Sequence, residues 1–385
     1  MHILYHTFYI ITNTTFYTNW SKSIDFFWKT QYNIEYHKKG RRLINVNILV
    51  DAMGGDNAPD AVIKGAVKAA KEIDGEITLV GTTEIINAKA KEFFGKDTIT
   101  EVASNIKIHH TTESIEMEDI PTQAIKTKKD SSMVVGFKLL KEGKGDAFVS
   151  AGNSGALLTG ATLLVGRIKG IDRPAIAPML PAYKKGLMLI DAGANTNCKP
   201  LNLLQFAQMA NCYLKNTYKI EKPAIGLLNI GTEETKGNEL TKETYKLLKE
   251  KAPEYGINFV GNVEGRDAFS GEIDALITDG FTGNVFLKTV EGMGKLIKTT
   301  LTESLTGTLL SKICAVPALP SINKFKKTMD YKEYGGALFL GVKKPVVKAH
   351  GSSDEKLFHY TIKQAAEFAR NGSVDMMIRE FEKEK

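Results

Sequence analysis

Five short stretches of the 385-residue chain place glycine beside aspartate, asparagine, serine or threonine directly after an apolar run. They are Asp51-Ala-Met-Gly54-Gly55-Asp56-Asn57, Ser150-Ala-Gly152-Asn153-Ser154-Gly155, Asp191-Ala-Gly193-Ala-Asn195, Asn229-Ile-Gly231-Thr232-Glu233-Glu234-Thr235-Lys236-Gly237-Asn238-Glu239 and Thr278-Asp279-Gly280-Phe281-Thr282-Gly283-Asn284. Each offers backbone N–H groups and short polar side chains where an anion sits at a helix N-terminus. Turns and helix caps use the same residue types, so one such stretch carries little weight alone. Five in succession, on one expected sheet edge, point to an anion-binding cleft.

The usual phosphate and nucleophile signatures are missing. No GxxxxGK[ST] occurs, no GxGxxG follows a strand, and there is no GxSxG elbow. His109 and His110 are adjacent and would point apart on a strand, which argues against a shared metal site. Cys198, Cys212 and Cys314 form no CxxC pair, which excludes a disulfide framework and the common zinc motifs and fits a reducing, cytoplasmic compartment. What remains is anion cradles, one lysine inside a loop, and carboxylates. That inventory suits catalysis by positioning and electrostatics, with no metal and no cofactor.

The elements that hold these loops are legible from the pattern. Short β-branched runs at Val46–Val50, Ile77–Val80, Ile106–His109, Ala147–Val149, Leu187–Ile190, Ala224–Leu228, Phe259–Val260, Ala275–Thr278 and Val346–Lys348 read as strands. Helical stretches lie between many of them, such as Pro59–Glu72 and Leu201–Leu214, each opened by proline or by polar capping residues. Ala156 to Val165 reads as a buried helix. Strand–helix alternation implies an α/β chain, a three-layer α/β/α arrangement around a mainly parallel Rossmann-like sheet. In such sheets ligands bind at the carboxyl ends of the strands.

Composition sets the limits. Apolar residues make up 43% and charged residues 25%, near the globular average, and 51 basic against 44 acidic residues give +7, a balance that suits acidic partners without requiring nucleic acid. Residues 1–43 differ from the rest: they hold 11 of the 33 aromatic residues, no alanine, no proline and one glycine. They read as a non-core extension, a targeting arm or upstream sequence translated from an early start, ahead of one catalytic domain over 44–385. A helical segment over about 287–330 carries Leu287, Val290, Gly294, Ile297, Leu301, Leu305, Leu309 and Ile313 on one stripe, followed by Lys312, Lys324, Lys326, Lys327 and Lys332. Such a basic amphipathic hairpin rests on anionic lipid or packs on a dimer partner.

Taken together the loops are similar to those of the bacterial phosphate acyltransferases that use acyl-acyl-carrier-protein (the PlsX family). The resemblance rests on Leu49-Val-Asp-Ala-Met-Gly-Gly-Asp-Asn-Ala-Pro59, Ser150-Ala-Gly-Asn-Ser-Gly-Ala156 and Gly166-Arg-Ile-Lys-Gly-Ile-Asp-Arg-Pro-Ala175. It continues through Leu227-Leu-Asn-Ile-Gly-Thr-Glu233, Lys236-Gly-Asn-Glu-Leu-Thr241, Asn262-Val-Glu264, Thr278-Asp-Gly-Phe-Thr-Gly-Asn284, Tyr334-Gly-Gly336 and Lys348-Ala-His-Gly-Ser-Ser-Asp354. It implies a fold like that of phosphate acetyltransferases and the isocitrate/isopropylmalate dehydrogenases. It also implies a reversible reaction: acyl-[acyl carrier protein] plus inorganic phosphate gives acyl phosphate and free carrier protein. The product would feed glycerol 3-phosphate acylation in phospholipid synthesis. A homodimer is implied too, peripheral to the inner face of the cell membrane near a membrane glycerol-3-phosphate acyltransferase.

Within that resemblance, Lys236 is expected to contact phosphate or the developing oxyanion, Asn284 to donate to the oxyanion, and His350 to give a proton to the leaving thiolate. Gly54, Gly55, Gly152, Asn153, Ser154, Asn195, Gly231, Thr232, Glu233, Asp279 and Thr282 are expected around the phosphate. Asp51 and Asp191 are expected to orient these loops, because a carboxylate repels a dianion. Cys198 has no activating partner in the sequence and reads as inert. An acidic carrier protein needs basic groups opposite it, and Lys126, Lys128, Lys129, Arg167, Lys169 and Arg173 are candidates. Three other readings stay open: an acyl-CoA-dependent phosphate acetyltransferase, a decarboxylating dehydrogenase of the related fold, and a non-catalytic membrane scaffold.

Overall fold

The computed structural model describes residues 45–328 and 334–382. The expected extension over 1–43 lies outside them. The chain order of the described strands is β1 (Val46–Asp51), β2 (Gly75–Gly81), β3 (Ile106–His110), β4 (Ala147–Ser150), β5 (Ala175–Ala177) and β6 (Met179–Ala182). Then come β7 (Lys185–Ile190), β8 (Ala224–Asn229), β9 (Asn258–Glu264), β10 (Ala275–Ile277), β11 (Ala337–Leu340) and β12 (Val346–Lys348). All nine strand positions expected from the β-branched runs are occupied by strands.

The single expected sheet is in fact two. One has seven strands in the order β3-β2-β1-β4-β12-β11-β5, and the other has five in the order β6-β7-β10-β8-β9. The five polar strand ends therefore do not share one edge: two follow strands of the larger sheet and three follow strands of the smaller. The chain passes between sheets at Pro178, the one residue separating β5 from β6. Proline cannot donate to a ladder, so it marks the place where pairing changes sheet. β5, β6 and β11 are also the strands the sequence left unread, and their mutual and neighbouring pairings are antiparallel.

Both sheets feed the same two cores, one on each face. On β1, Val46, Ile48 and Val50 enter one core and Leu49 the other; on β7, Met188 and Ile190 enter the first and Leu187 and Leu189 the second. This period-two alternation in fully buried strands produces a three-layer α/β/α body. One side is covered by α1 (Asp60–Ala70) and others, the opposite side by helices that include α2 (Pro121–Thr127), α3 (Ser132–Lys141) and α4 (Ser154–Gly160). α4 runs on into a π-turn over Ala161–Gly166, and the expected buried helix is realised in part: Ala156, Leu157, Gly160, Ala161 and Val165 are buried, while Leu163 is 63% exposed and the other residues are half-buried. α5 (Pro200–Thr217) begins where Lys199-Pro200 signals a start, with the Lys199 N–H donating to the Asn202 side chain at 2.8 Å.

After β10 the chain enters α6 (Gly280–Thr306), a 27-residue helix whose only buried residues are Gly280 and Gly283. Its second turn still packs on the body through Phe286, which stacks on Phe269, and Leu287; from Gly292 on, most of its residues are exposed. The expected apolar stripe breaks at Gly307 and Thr308, where an extended Thr308 caps α7 (Leu309–Ala315) by accepting from the Ser311 N–H at 3.0 Å. α8 (Leu319–Thr328) follows. Leu287, Val290, Leu301 and Leu305 are half-buried, while Leu309, Leu310, Ile313 and Val316 are each at least 60% exposed. No described helix is long and apolar enough to cross a membrane.

Candidate active site

The larger sheet contributes three adjoining strand ends, from β1, β4 and β12. Asp51, at the end of β1, is buried and works as a hub. Its Oδ1 accepts from the Ser132 hydroxyl at 2.6 Å and the Met53 N–H at 3.1 Å, and its Oδ2 from the Ser150 hydroxyl at 2.7 Å. The Ser150 oxygen accepts in turn from the Gly152 N–H at 3.0 Å. Burial pushes the Asp51 carboxyl up, and these donors oppose the shift. Gly54 is forced by this packing: a Cβ there would lie 2.4 Å from Asp51 Oδ2. Gly55, at φ +110°, lets the chain turn beneath the β12 loop, where the Asp56 N–H donates to the Gly351 carbonyl at 2.9 Å.

The smaller sheet has a second hub. Asp191, at the end of β7, is fully buried, and its two oxygens take five N–H donors: those of Ile176, Gly193, Ala194 and Asn195, and the Asn195 amide. Burial again pushes its carboxyl up against these donors. Asn195 spends its amide on Asp191 and on the Pro174 carbonyl at 2.8 Å, and its own carbonyl accepts from the Gly280 N–H at 2.7 Å. That bond seats the start of α6. A Cβ at Gly283 would fall 1.9 Å from the Asp191 carbonyl oxygen, so the helix enters only because glycine stands there. Asp279 caps it, accepting from the Phe281 and Thr282 N–H groups and the Thr282 hydroxyl. Asn284, one turn on, is exposed over Gly193 and forms no hydrogen bond among the described residues.

Lys236 stands in the β8 loop. The loop is held by Asn229, which accepts from the Ile230 N–H and donates to the Lys236 carbonyl, and by Asn262 on β9, which donates to the Glu233 carbonyl at 2.9 Å. Gly231 is buried beneath the stem of Lys236, while Thr232, Glu233 and Lys236 are exposed. The Lys236 ammonium has no partner among the described residues. A cleft of about 320 Å³ opens beside Asn195, lined by Leu158, Thr162, Arg167, Asp172, Arg173 and Pro174.

The two sheets are joined at the site by His350, which follows β12. Its Nε2 lies 3.2 Å from Lys288 Nζ on α6, and its Nδ1 lies 2.9 Å from the Ser352 hydroxyl. Burial, and then the Lys288 charge, push the imidazole below its usual range.

A family model described as fatty acid synthesis protein matches residues 46–376. A phosphate acyltransferase from Acetivibrio thermocellus is 50% identical over 335 residues, covering 87% of this chain and 96% of that one. One from Clostridium kluyveri is 48% identical over 336 residues, covering 87% and 98%. The chain belongs to the phosphate acyltransferase family. Among solved structures, a phosphotransacetylase from Streptococcus pyogenes superposes with a TM-score of 0.55 at 16% identity, over 84% of this chain and 93% of that one. The EutD phosphotransacetylase of Staphylococcus aureus gives 0.52 at 14%, over 90% and 98%. These likenesses bear out the expected fold.

For a phosphate acyltransferase, the site as built redistributes several expected roles. Asn153 does not face an open cradle: its Oδ1 caps α4 through the Ala156 N–H, and its amide donates to the carbonyls of Glu116, Met117 and Asp119. It pins a loop, and the exposed Ser154 is left as the side chain with a free hydroxyl at that helix start. Asp279 and Thr282 likewise bond to each other. Burial and the Lys288 ammonium beside it disfavour the imidazolium form of His350, the form that would most readily give a proton to the leaving thiolate. Lys128 is not a free surface cation: it pairs with Asp119 at 2.5 Å and donates to the Ser114 carbonyl. Arg167 is spent in part on the Asp172 carbonyl. The Cys198 thiol is pushed up to about 11, first by burial. Ser132, Lys288 and Lys348 were not singled out from sequence as site residues; Lys348 lies inside the quoted Lys348-Ala-His350 motif, and Lys288 is one turn beyond Asn284.

Proposed function

We propose that this chain transfers a fatty acyl group from an acyl-[acyl carrier protein] thioester to inorganic phosphate. An oxygen of hydrogen phosphate attacks the thioester carbonyl, the C–S bond breaks, and the phosphate proton ends on the departing thiolate. Acyl phosphate and free carrier protein result. The observation that carries this reading is a division of labour: the buried carboxylates hold the loops, while Lys236 and Asn284 stay unpaired and able to meet charge that develops in the transition state. Phosphate is already a nucleophile, so holding it against the thioester supplies much of the rate.

Carrier-protein recognition falls to basic groups around α2 and the cleft by Asn195, chiefly Lys126, Lys129 and Arg173, facing an acidic partner. The exposed apolar residues of the α6–α8 segment support a homodimer whose tips touch the inner face of the cell membrane, where the product would be consumed in glycerol 3-phosphate acylation. The chain would then work from the cytoplasm.

The test is to incubate the purified chain with labelled phosphate and either long-chain acyl-carrier protein or acyl-CoA. Acyl phosphate is expected from the carrier-protein thioester; equal or faster turnover of acyl-CoA would reassign the donor. Lys236→Ala should slow the reaction by roughly 10²-fold, the scale for losing one preorganised contact to the oxyanion. Lys236→Arg should also be impaired, because a planar fork does not replace a compact point charge. Near-normal rates in both would remove Lys236 from the site.

A further inference from the structure

His350 presents a hydrogen-bonding conflict that an anion would resolve. The Ser352 N–H points at His350 Nδ1 at 3.2 Å. A backbone N–H only donates, so Nδ1 accepts and the ring proton sits on Nε2. That Nε2–H then faces the Lys288 ammonium across 3.2 Å, two donors with no acceptor between them. Lys348, two residues before His350 on β12, feels the Lys288 charge and is felt by His350, and it forms no hydrogen bond or ion pair among the described residues. Against these stand Glu291, paired with Lys288 at 2.7 Å, and the Asp56 carboxylate, near Gly351.

We propose that Lys288, Lys348 and His350 form the subsite that holds the phosphate substrate, its oxygens accepting from both ammonium groups and from the His350 Nε2–H. This rests on the reading that phosphate is the acyl acceptor. Burial and the neighbouring Lys288 push the Lys348 ammonium down, and the same two causes push His350 down. Lys288 is half-exposed and paired with Glu291, but Lys348 has no such partner, so the group keeps an excess of positive charge that a ligand of opposite charge would balance. Its place agrees: β12 lies beside β4 in the larger sheet, so the cluster sits among the carboxyl ends of parallel strands. Lys288 comes from the helix that follows the smaller sheet, so one bound dianion ties both sheets together. Hydrogen phosphate carries two charges and several acceptor oxygens, which suits two ammonium groups and one N–H.

The probe is inorganic phosphate. In steady-state assays Lys348→Met and Lys288→Met should each raise the KM for phosphate by about tenfold or more, the scale of a lost charged hydrogen bond, with the KM for acyl-carrier protein unchanged. Lys348→Arg should recover part of the loss. In the wild-type chain the His350 ring proton, assigned by its disappearance in His350→Gln, should titrate at higher pH when phosphate is added than with chloride at equal ionic strength. That measurement does not depend on any variant folding. An unmoved His350 titration, or an unchanged phosphate KM in both methionine variants, overturns the subsite. If phosphate shifts His350 but the wild-type chain makes no acyl phosphate, the subsite stands and the assigned reaction fails.

Discussion

Asp51 and Asp191 occupy matching stations at the ends of β1 and β7, yet their partners differ in kind. Two of the Asp51 donors are hydroxyls, which can rotate and accept instead. Every donor to Asp191 is an N–H, and an N–H cannot reverse. Asp191→Asn would turn an NH2 group onto N–H donors in a fully buried site. It should cost about 2 kcal/mol or more, from at least one donor left unsatisfied together with the new opposition. Asp51→Asn should cost clearly less. Urea unfolding of the two variants measures this, and equal losses, or a larger loss at Asp51, would refute the distinction. The sequence already exposed both aspartates, because they directly follow apolar runs and precede glycine. It did not expose Ser132, which reaches Asp51 from 81 positions away, or Lys288, which reaches His350 across 62. Such partners are set by tertiary placement, and no local pattern records them.

At the scale of elements, strands buried on both faces were readable because their β-branched runs are dense. β5, β6 and β11 were not, since they are short and rich in alanine, leucine or proline, and their antiparallel pairing interrupts the strand–helix rhythm. The α6–α8 segment poses the opposite difficulty: its helical period was plain, but the period does not say what covers the stripe. Ile313, Val316 and Leu319 are 60%, 61% and 46% exposed. Inserting them into lipid would gain about 1–2 kcal/mol each. Lys324, Lys326 and Lys327, next in sequence, would add about 1 kcal/mol apiece at an anionic surface. Replacing the three apolar residues with aspartate should release the protein from anionic vesicles in a sedimentation assay and leave turnover in solution largely intact. Loss of the dimer in place of vesicle binding would assign the stripe to the subunit contact.

For the whole molecule, the question is how much chain the fold requires. Both sheets, both cores and every strand end discussed lie between Val46 and Glu382, and the family match begins at residue 46. The phosphate acyltransferases of A. thermocellus and C. kluyveri are covered to 96% and 98% of their own lengths by only 335 and 336 aligned residues. The alignment with these two relatives therefore takes in nearly all of each and leaves about an eighth of this chain unmatched. Residues 1–43 carry +4 of the charge and 11 aromatic residues, a composition unlike the glycine- and alanine-rich remainder. β1 is a central strand of the larger sheet, paired on both sides with β2 and β4, so its register is set by neighbours and by the alternation of Ile48, Leu49 and Val50 between the two cores. A chain starting at Ile44 should therefore express in soluble form, melt within a few degrees of the full-length protein, and form acyl phosphate at a comparable rate. Scanning calorimetry and the labelled-phosphate assay on the two chains side by side decide the matter. A large drop in melting temperature, or the loss of soluble protein, would make residues 1–43 part of the folded body.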